Sequence, residues 1–363
     1  MESEGSSIIS LKAKLLSAGL IKIRGSTLDK AREENRHLSK LISDNKNLCS
    51  WPWLFIKLDQ ATRVRLIVDP TLSCDLELTI DDDVDFYSIR DKSLSVLAKV
   101  TLEDSLYHCP EQLFFNLYTW CSNGCEFCPL AAKTAKPRDT IERMISVAAD
   151  SKKHGLKGIG ITTGIPAYLT SEKLIDELAR AIAKLRKVVG NNVPIGVSPF
   201  ASSRSQLELL FNAGADELRI NSETFNRDLF SCICPDKNLD DILESLHQAV
   251  GIFGVGKVSS NIIVGLGEND DDVRRGIDEL CNLKVIPTLY PLDPIPGKYE
   301  RLLEVSGGKA SRPEAKRLLK LAKYQWQALL KMNLDPSQLR TMCPACSASH
   351  IMAKIDQDSS FLH

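Results

Sequence analysis

The first hundred or so residues change from a helical to an extended pattern of apolar positions. Between residues 9 and 48 apolar side chains recur at helical spacing, first in ISLKAKLLSAGLIKI and then in a charged amphipathic run, and this predicts an N-terminal helical cover. Residues 53–105 instead hold short apolar or alternating runs separated by Asp and Pro, which predict a small antiparallel sheet. We therefore expect residues 1–108 to be an extension with helices and a small β-sheet.

From residue 109 onward, strand-like runs alternate with helical stretches. Six strand-like runs predict strands, and they cover residues 113–119, 157–164, 193–199, 216–223, 257–267 and 285–292. Amphipathic stretches such as 139–155 and 171–190 lie between them. Repeated β/α units imply an α/β fold with a parallel sheet. Six units are too few for a closed eightfold barrel, so they fit an open six-unit barrel or a doubly wound sheet.

The end of the chain returns to helix and then carries cysteines. An amphipathic run over residues 312–332 predicts a long helix, and TMCPACSASHIMAKI follows it at 341–355. We therefore divide the rest of the chain into a β/α core over residues 109–300 and a C-terminal helix with a cysteine-containing tail over residues 301–363.

The charge balance and the cysteine count narrow the class of protein. Lys and Arg number 46 against 47 Asp and Glu, so nothing in the net charge of −1 favours nucleic acid or an anionic membrane as a partner. The N-terminus lacks a signal-peptide layout, and no apolar run approaches the roughly 18 residues of a spanning helix. We expect a cytoplasmic protein. Its 11 cysteines then indicate metal binding where they cluster and packing where they are scattered, as at Cys49, Cys74 and Cys281.

Three cysteines lie within eight residues, in TWCSNGCEFCPL. Cys121, Cys125 and Cys128 follow the first strand of the alternating region, and ligands of parallel α/β sheets bind at the carboxyl ends of the strands. Thiolates at this spacing suit an iron–sulfur cube, and three of them leave the fourth iron open to an exogenous ligand. A zinc site or a ferredoxin-like electron carrier fits less well, because each normally has a fourth protein ligand nearby.

The C-x3-C-x2-C loop, with Phe127 before its last cysteine, resembles the radical SAM superfamily, and the similarity extends over about residues 110–300. The resemblance implies a partial six-unit (β/α)6 barrel and a [4Fe–4S] cluster on the three cysteines. It further implies S-adenosylmethionine at the open iron, with Phe127 against its adenine, and an electron donor such as ferredoxin or flavodoxin. Reductive cleavage would yield a 5'-deoxyadenosyl radical that activates a C–H bond of the substrate.

Later motifs follow the order of this family. Thr162, Thr163 and Gly164 occupy the position of its GGE-like turn, whose backbone meets the methionyl amino group, although they depart from Gly-Gly-Glu. The stretch INSE resembles the N-x-D/E pattern of biotin synthase-like members, which implies contacts of Asn221 and Glu223 with the ribose hydroxyls. A solvated turn after the strand is the alternative explanation of INSE.

Two further features point to a subgroup of the family. Arg219 is a candidate for the methionyl carboxylate, although strand alternation sets it on the face opposite to Ile220. The stretch YPLDPIPG at 290–297 resembles the sixth-strand turn of biotin and lipoyl synthases. The subgroup implied is therefore biotin synthase/lipoyl synthase-like.

A second group of cysteines predicts an auxiliary iron–sulfur cluster. Its proposed ligands are Cys234, Cys343 and Cys346, completed by Cys232, Ser349 or His350. A zinc site, a redox-active C-P-A-C pair and inert packed thiols remain alternatives.

The best sequence-level hypothesis is insertion of sulfur into a protein-bound octanoyl chain, as in lipoyl synthases. The cysteine layout is closest to the two-protein archaeal type, which implies an acyl-carrying protein or peptide and a second radical SAM protein as partners. Lys133, Lys136 and Arg138 are positioned to guide an acidic carrier. The alternatives are a radical SAM enzyme for methyl transfer, rearrangement or cofactor maturation, and a non-catalytic iron–sulfur or zinc protein.

Overall fold

The structure is a computed structural model of the chain. It describes residues 7–34, 53–59, 62–69, 73–80, 86–103, 111–128, 130, 139–293 and 298–352. Several of the positions singled out above lie outside these residues, namely Cys49, Lys133, Lys136, Arg138, the domain boundary at residue 108 and most of the DPIPG turn.

The N-terminal region combines two helices with a closed six-stranded barrel. Helix α1 (Ile8–Ala18) is capped by Ser7 and ends at Gly19, whose φ of 69° suits a residue without Cβ. The other elements are β1 (Leu20–Ile23), α2 (Gly25–Glu34), β2 (Trp53–Lys57), β3 (Arg63–Val68), β4 (Glu77–Ile80), β5 (Tyr87–Arg90) and β6 (Val96–Glu103).

Strand β1 corrects the prediction for this region. The strands are ordered β1-β3-β2-β6-β5-β4, and β1 closes the barrel by pairing in parallel with both β3 and β4. The sequence pattern predicts helix at residues 20–23 and a purely antiparallel sheet, and both predictions are wrong for β1. The side chains of LIKI alternate between partly buried and buried, as in a strand, and the edges of β3 and β4 provide its hydrogen-bonding partners.

The second sheet consists of six parallel strands. They are β7 (Gln112–Asn116), β8 (Gly158–Thr162), β9 (Ile195–Ser198), β10 (Glu217–Arg219), β11 (Val258–Val264) and β12 (Ile286–Pro291). All six strand predictions are confirmed. The spatial order follows the chain from β7 to β12 without reversal, which excludes a doubly wound sheet and identifies an open six-unit (β/α) barrel.

Helices cover the outer face of this sheet. They are α3 (Ile141–Lys152), α4 (Ser171–Val189), α5 (Arg204–Asn212), α6 (Arg227–Ile233), α7 (Leu239–Phe253) and α8 (Asp270–Asn282), followed by α9 (Tyr299–Val305) and α10 (Ala315–Lys331). Helix α4 shows why such a sequence is helical: Thr170 caps its N-terminus, and Leu174, Leu178 and Leu185 recur on one buried face.

The C-terminal segment packs against the amino ends of the parallel strands. It comprises a short 3-10 turn (Pro336–Gln338) and helix α11 (Met342–Cys346). Glu217, the first residue of β10, accepts hydrogen bonds from the backbone N–H groups of Arg340 and Thr341 at 2.8 and 2.9 Å. A Cβ at Gly196 would lie 2.1 Å from the Thr341 hydroxyl, so glycine permits this approach.

The small barrel contacts this same C-terminal segment. The Arg65 backbone N–H donates to Ala348 O at 2.8 Å, and the buried Lys12 ammonium donates to Ser347 O at 2.7 Å. Phe55 and Cys346 pack together beside them. No helix of the described residues is long and apolar enough to cross a membrane.

Candidate active site

Backbone hydrogen bonds hold the three-cysteine loop against the turn after β8. Gly164 N–H donates to Tyr118 O at 2.8 Å, and Ser122 N–H donates to Ile165 O at 2.7 Å. A Cβ on Gly164 would lie 2.1 Å from Trp120 O, so only glycine allows the turn this close to the loop. The Thr-Thr-Gly turn lies at the carboxyl end of β8 and holds the cysteine loop in position there.

A cavity of about 360 Å³ opens at the carboxyl ends of the parallel strands. The predicted site residues that line it are Cys121, Cys125, Cys128, Phe127, Thr162, Thr163, Asn221 and Glu223. Eight positions that are separated by up to about a hundred residues in the sequence thus meet at one site. Gly164 lies beside this cavity in the same turn without lining it.

The cysteine thiols of the loop differ in their electrostatic surroundings. A hydrogen bond from Cys234 lowers the pKa of Cys125 to about 7, against the opposing effect of burial, and the neighbouring Lys237 acts in the same direction. Burial raises the pKa of Cys128 to about 11. Since the thiolate is the form that binds metal, Cys125 is already close to its ligand form at neutral pH.

A charged pair closes one side of the cavity. The Lys237 ammonium lies 3.0 Å from Glu223 Oε1, and the Glu223 side chain is only 4% exposed. Burial opposes the charge on Lys237, but Glu223 and Cys125 outweigh it and raise the pKa of this lysine. Glu223 itself has φ of 61°, a strained conformation that sits where β10 gives way to the loop.

Asn221 has an unsatisfied polar atom at this site. Its Oδ1 is buried and has no hydrogen-bond partner among the described residues, although the side chain lines the cavity. A buried acceptor without a partner is costly, so this atom fits a site for a polar ligand. Together with three thiols in one cavity, the donor set fits an iron–sulfur cluster with a polar co-ligand such as S-adenosylmethionine.

Arg219 does not line this cavity. It is buried inside the barrel, where its Nη1 donates to Cys343 Sγ at 3.3 Å. The predicted contact with a methionyl carboxylate at the cavity therefore lacks support, because the guanidinium is directed toward the C-terminal segment. Among the described residues, Lys237 is the cation that lines the cavity.

The second group of cysteines is divided between two places. Cys234 is buried against Cys125 at the carboxyl ends of the strands, and Cys232 is exposed on α6. Cys343 contacts Arg219, while Cys346 packs against Phe55 beneath the small barrel. The structure thus does not bring Cys232 and Cys234 together with Cys343 and Cys346.

The surroundings of Cys343 hold further polar groups. The Tyr290 hydroxyl lies next to this thiol, and the Tyr290 and His350 rings are 5.5 Å apart. Both His350 nitrogens are buried without partners among the described residues, and burial holds the pKa of this imidazole well below its usual value. Ser349 is half-buried beside it.

Within the part of the chain that the structure describes, no three His, Cys, Asp or Glu side chains converge in a metal-binding arrangement. Cys121, Cys125 and Cys128 line one cavity but do not form such an arrangement, and neither do Cys343, Cys346 and His350. The auxiliary cluster therefore stays a prediction.

Two site residues were missed in the sequence. Asp236 and Lys237 line the cavity, and the Asp236 carboxylate accepts a hydrogen bond from Gly124 N–H at 2.8 Å. The available signal was their position in CPDKN, just after the helix that follows β10, on the same side of the sheet as the cysteine loop. Charged residues in such a loop face ligands as often as solvent, so only the fold could separate the two.

Comparison with known proteins gives consistent matches to this region. Residues 115–280 match the sequence model of the Radical SAM superfamily. The lipoyl synthase of Corynebacterium jeikeium is 29% identical over 167 residues, which are 45% of this chain and 45% of that protein. The biotin synthase of Buchnera aphidicola is 28% identical over 178 residues, 48% of this chain and 50% of that protein.

These matches cover only part of each relative. The chain spans about half the length of the curated relatives it matches. Among solved structures, methylornithine synthase superposes with a TM-score of 0.49 and 18% identity over 61% of each chain.

Proposed function

We propose that this chain, in which residues 115–280 form a radical SAM domain of the biotin synthase/lipoyl synthase-like kind, cleaves S-adenosylmethionine reductively to activate a substrate C–H bond. The observation that carries the proposal is that Cys121, Cys125 and Cys128 line one cavity together with polar side chains at the carboxyl ends of β8 and β10. When bound, a [4Fe–4S] cluster on these thiols supplies the electron for the cleavage.

The other lining residues provide the binding site in this proposal. Asn221 and Glu223 bind the ribose hydroxyls, and the backbone of the turn formed by Thr162, Thr163 and Gly164 accepts the methionyl amino group. The Lys237 ammonium meets the methionyl carboxylate, since it is the cation among the described residues of the cavity lining. Phe127 covers the adenine and helps to exclude water, which protects a reactive radical.

The test is anaerobic reconstitution with iron and sulfide, followed by dithionite and S-adenosylmethionine. We expect about four irons per chain on the first cluster, oxygen-labile absorbance, and formation of 5'-deoxyadenosine and methionine. Cys125→Ala should lose all three, whereas Cys281→Ala, at a buried thiol on α8, should retain them. A wild-type protein that binds zinc instead, or that yields no 5'-deoxyadenosine, contradicts the proposal.

A finer proposal concerns the reaction that follows. Insertion of sulfur into an acyl chain on a carrier protein is supported by the names of the lipoyl and biotin synthase relatives. It is also supported by the two thiols of the C-terminal segment, since Cys343 contacts Arg219 and the next two residues, Ile220 and Asn221, line the cavity. Cys343 and Cys346, completed by Ser349 or His350, are the proposed ligands of an auxiliary cluster.

Iron counting tests this finer proposal separately. About eight irons per chain would agree with a second cluster, and Cys343→Ala should reduce that number to about four while 5'-deoxyadenosine is still formed. If wild-type and Cys343→Ala proteins both hold about four irons, sulfur insertion is replaced by another radical reaction, such as methyl transfer or rearrangement.

A further inference from the structure

The cysteine loop is fastened along its length to the segment that follows α6. Glu126 N–H donates to Ile233 O at 3.0 Å, and Gly124 N–H donates to Asp236 Oδ2 at 2.8 Å. These two hydrogen bonds flank Cys125 on one segment and Cys234 on the other. One backbone hydrogen bond and one to the Asp236 carboxylate therefore fix the two cysteines opposite each other.

Cys234 lies inside this junction, opposite Cys125. It has no solvent exposure, and Cys125 is only 5% exposed. Its backbone is equally constrained, because Cys234 N–H donates to Phe230 O at 2.8 Å and ends α6. The backbone position of Cys234 beside Cys125 is therefore fixed.

We propose that Cys234 is a positioning residue for the first cluster, whose thiol donates a hydrogen bond to the Cys125 ligand sulfur and thereby raises the reduction potential of the cluster. The inference rests on the proposed function of the Cys121 loop. Reduction adds negative charge that is shared with the ligand sulfurs, and a donor hydrogen bond stabilises that charge.

The geometry favours a donor over a fourth iron ligand. A cube binds each cysteine at a separate iron, whereas the flanking hydrogen bonds hold Cys234 opposite Cys125 itself. A ligand role would also occupy the iron that S-adenosylmethionine must reach. Loss of Cys234 should accordingly change the potential of the cluster without changing its iron content.

The experiment is a redox titration of the reconstituted cluster, followed by electron paramagnetic resonance, without S-adenosylmethionine. The variants are Cys234→Ala, Cys234→Ser and, as a matched buried thiol away from the site, Cys281→Ala. We expect Cys234→Ala to keep the wild-type iron content and to shift the midpoint potential to a more negative value. Cys234→Ser retains a donor and should fall closer to wild type, and Cys281→Ala should not shift.

Three outcomes would overturn the inference. One is an unchanged midpoint potential in Cys234→Ala, the second is a shift of the same size in Cys281→Ala, and the third is loss of iron in both Cys234 variants, which would make Cys234 a ligand. Failure of the proposed function is distinguishable from these. In that case wild-type protein itself would hold no oxygen-labile cluster or form no 5'-deoxyadenosine.

Discussion

The Nη1 atom of Arg219 donates a hydrogen bond to Sγ of Cys343 at 3.3 Å, inside the barrel and 124 residues apart in sequence. This contact joins the last residue of β10 to the C-terminal segment that fills the amino end of the sheet. The Arg219 guanidinium also lies over the ring of Phe114, on β7. The C-terminal segment is thus part of the core of the barrel.

Loss of this buried cation contact should destabilise the fold. Arg219→Ala removes a buried, charged hydrogen-bond donor from between β10 and α11, and we expect the free energy of unfolding to fall by about 1.5–3 kcal/mol. Urea unfolding of the metal-free protein measures this change. Arg227→Ala is the control, because its ion pair with Asp240 is exposed to solvent and should contribute much less to stability. Equal effects of the two variants would show that the Cys343 contact adds nothing.

Lys237 should determine affinity for S-adenosylmethionine. Lys237→Met keeps the aliphatic length but removes the charge, and we expect Kd to rise about 10- to 100-fold, as for a lost charged hydrogen bond. Equilibrium dialysis on the reconstituted protein measures Kd, and iron content should stay at the wild-type value.

A second lysine provides the matched control for this prediction. Lys257 also faces a buried glutamate, Glu217, at 3.6 Å, but it lies at the amino ends of the strands, away from the cavity. Lys257→Met should therefore leave Kd unchanged. If both substitutions weaken binding equally, the proposed contact of Lys237 with the methionyl carboxylate is wrong, because loss of a buried ion pair would then explain the effect.

Gly164 should tolerate no side chain. Gly164→Ala would push its Cβ to 2.1 Å from Trp120 O, so the turn must move away from the cysteine loop. We expect a reduced yield of reconstituted cluster and weaker binding of S-adenosylmethionine. Gly251→Ala is the control, because it lies in α7 with open space around it and should stabilise the protein by up to about 1 kcal/mol. Full cluster occupancy in Gly164→Ala would contradict the assigned role.

Cys281 should make the fold sensitive to alkaline pH. Burial raises the pKa of this thiol to about 12, against about 8.5 in an unfolded chain. Between these values the unfolded state has lost the proton that the folded state keeps. Stability from this group is therefore complete below about pH 8.5 and falls by about 1.4 kcal/mol for each further pH unit.

Comparison with Cys281→Ala isolates this contribution. The free energy of unfolding, measured with urea from pH 8 to pH 10.5, should fall more steeply for the wild type than for the variant. Parallel pH dependences would show that the thiol ionises equally well in both states.

The pattern of apolar and polar residues correctly predicts the strands of the parallel sheet but does not predict β1 of the small barrel. The strands from β7 to β12 were predictable because strand-like runs alternate regularly with amphipathic helices along this part of the chain. LIKI at residues 20–23 could not be assigned, since four apolar-rich residues fit a helix or a strand equally well. Its partners β3 and β4 lie some 40 to 60 residues further along the chain, and pairing with them makes this segment a strand.

The sequence by itself determined the chemistry of the main site. Three cysteines at fixed spacing after a strand, with polar residues at the ends of later parallel strands, must meet at one edge of the sheet, because parallel strands all end on the same side. Cys121, Cys125, Cys128, Asn221 and Glu223 were identifiable for that reason, and they do line one cavity.

Only the tertiary structure decided which distant groups became neighbours. Cys234 contacts Cys125, and Cys343 contacts Arg219, so cysteines that the sequence had grouped lie in two separate places. Side-chain direction along β10 and the path of the C-terminal segment determine these contacts. Both depend on packing across the whole barrel, which no local pattern of residues encodes.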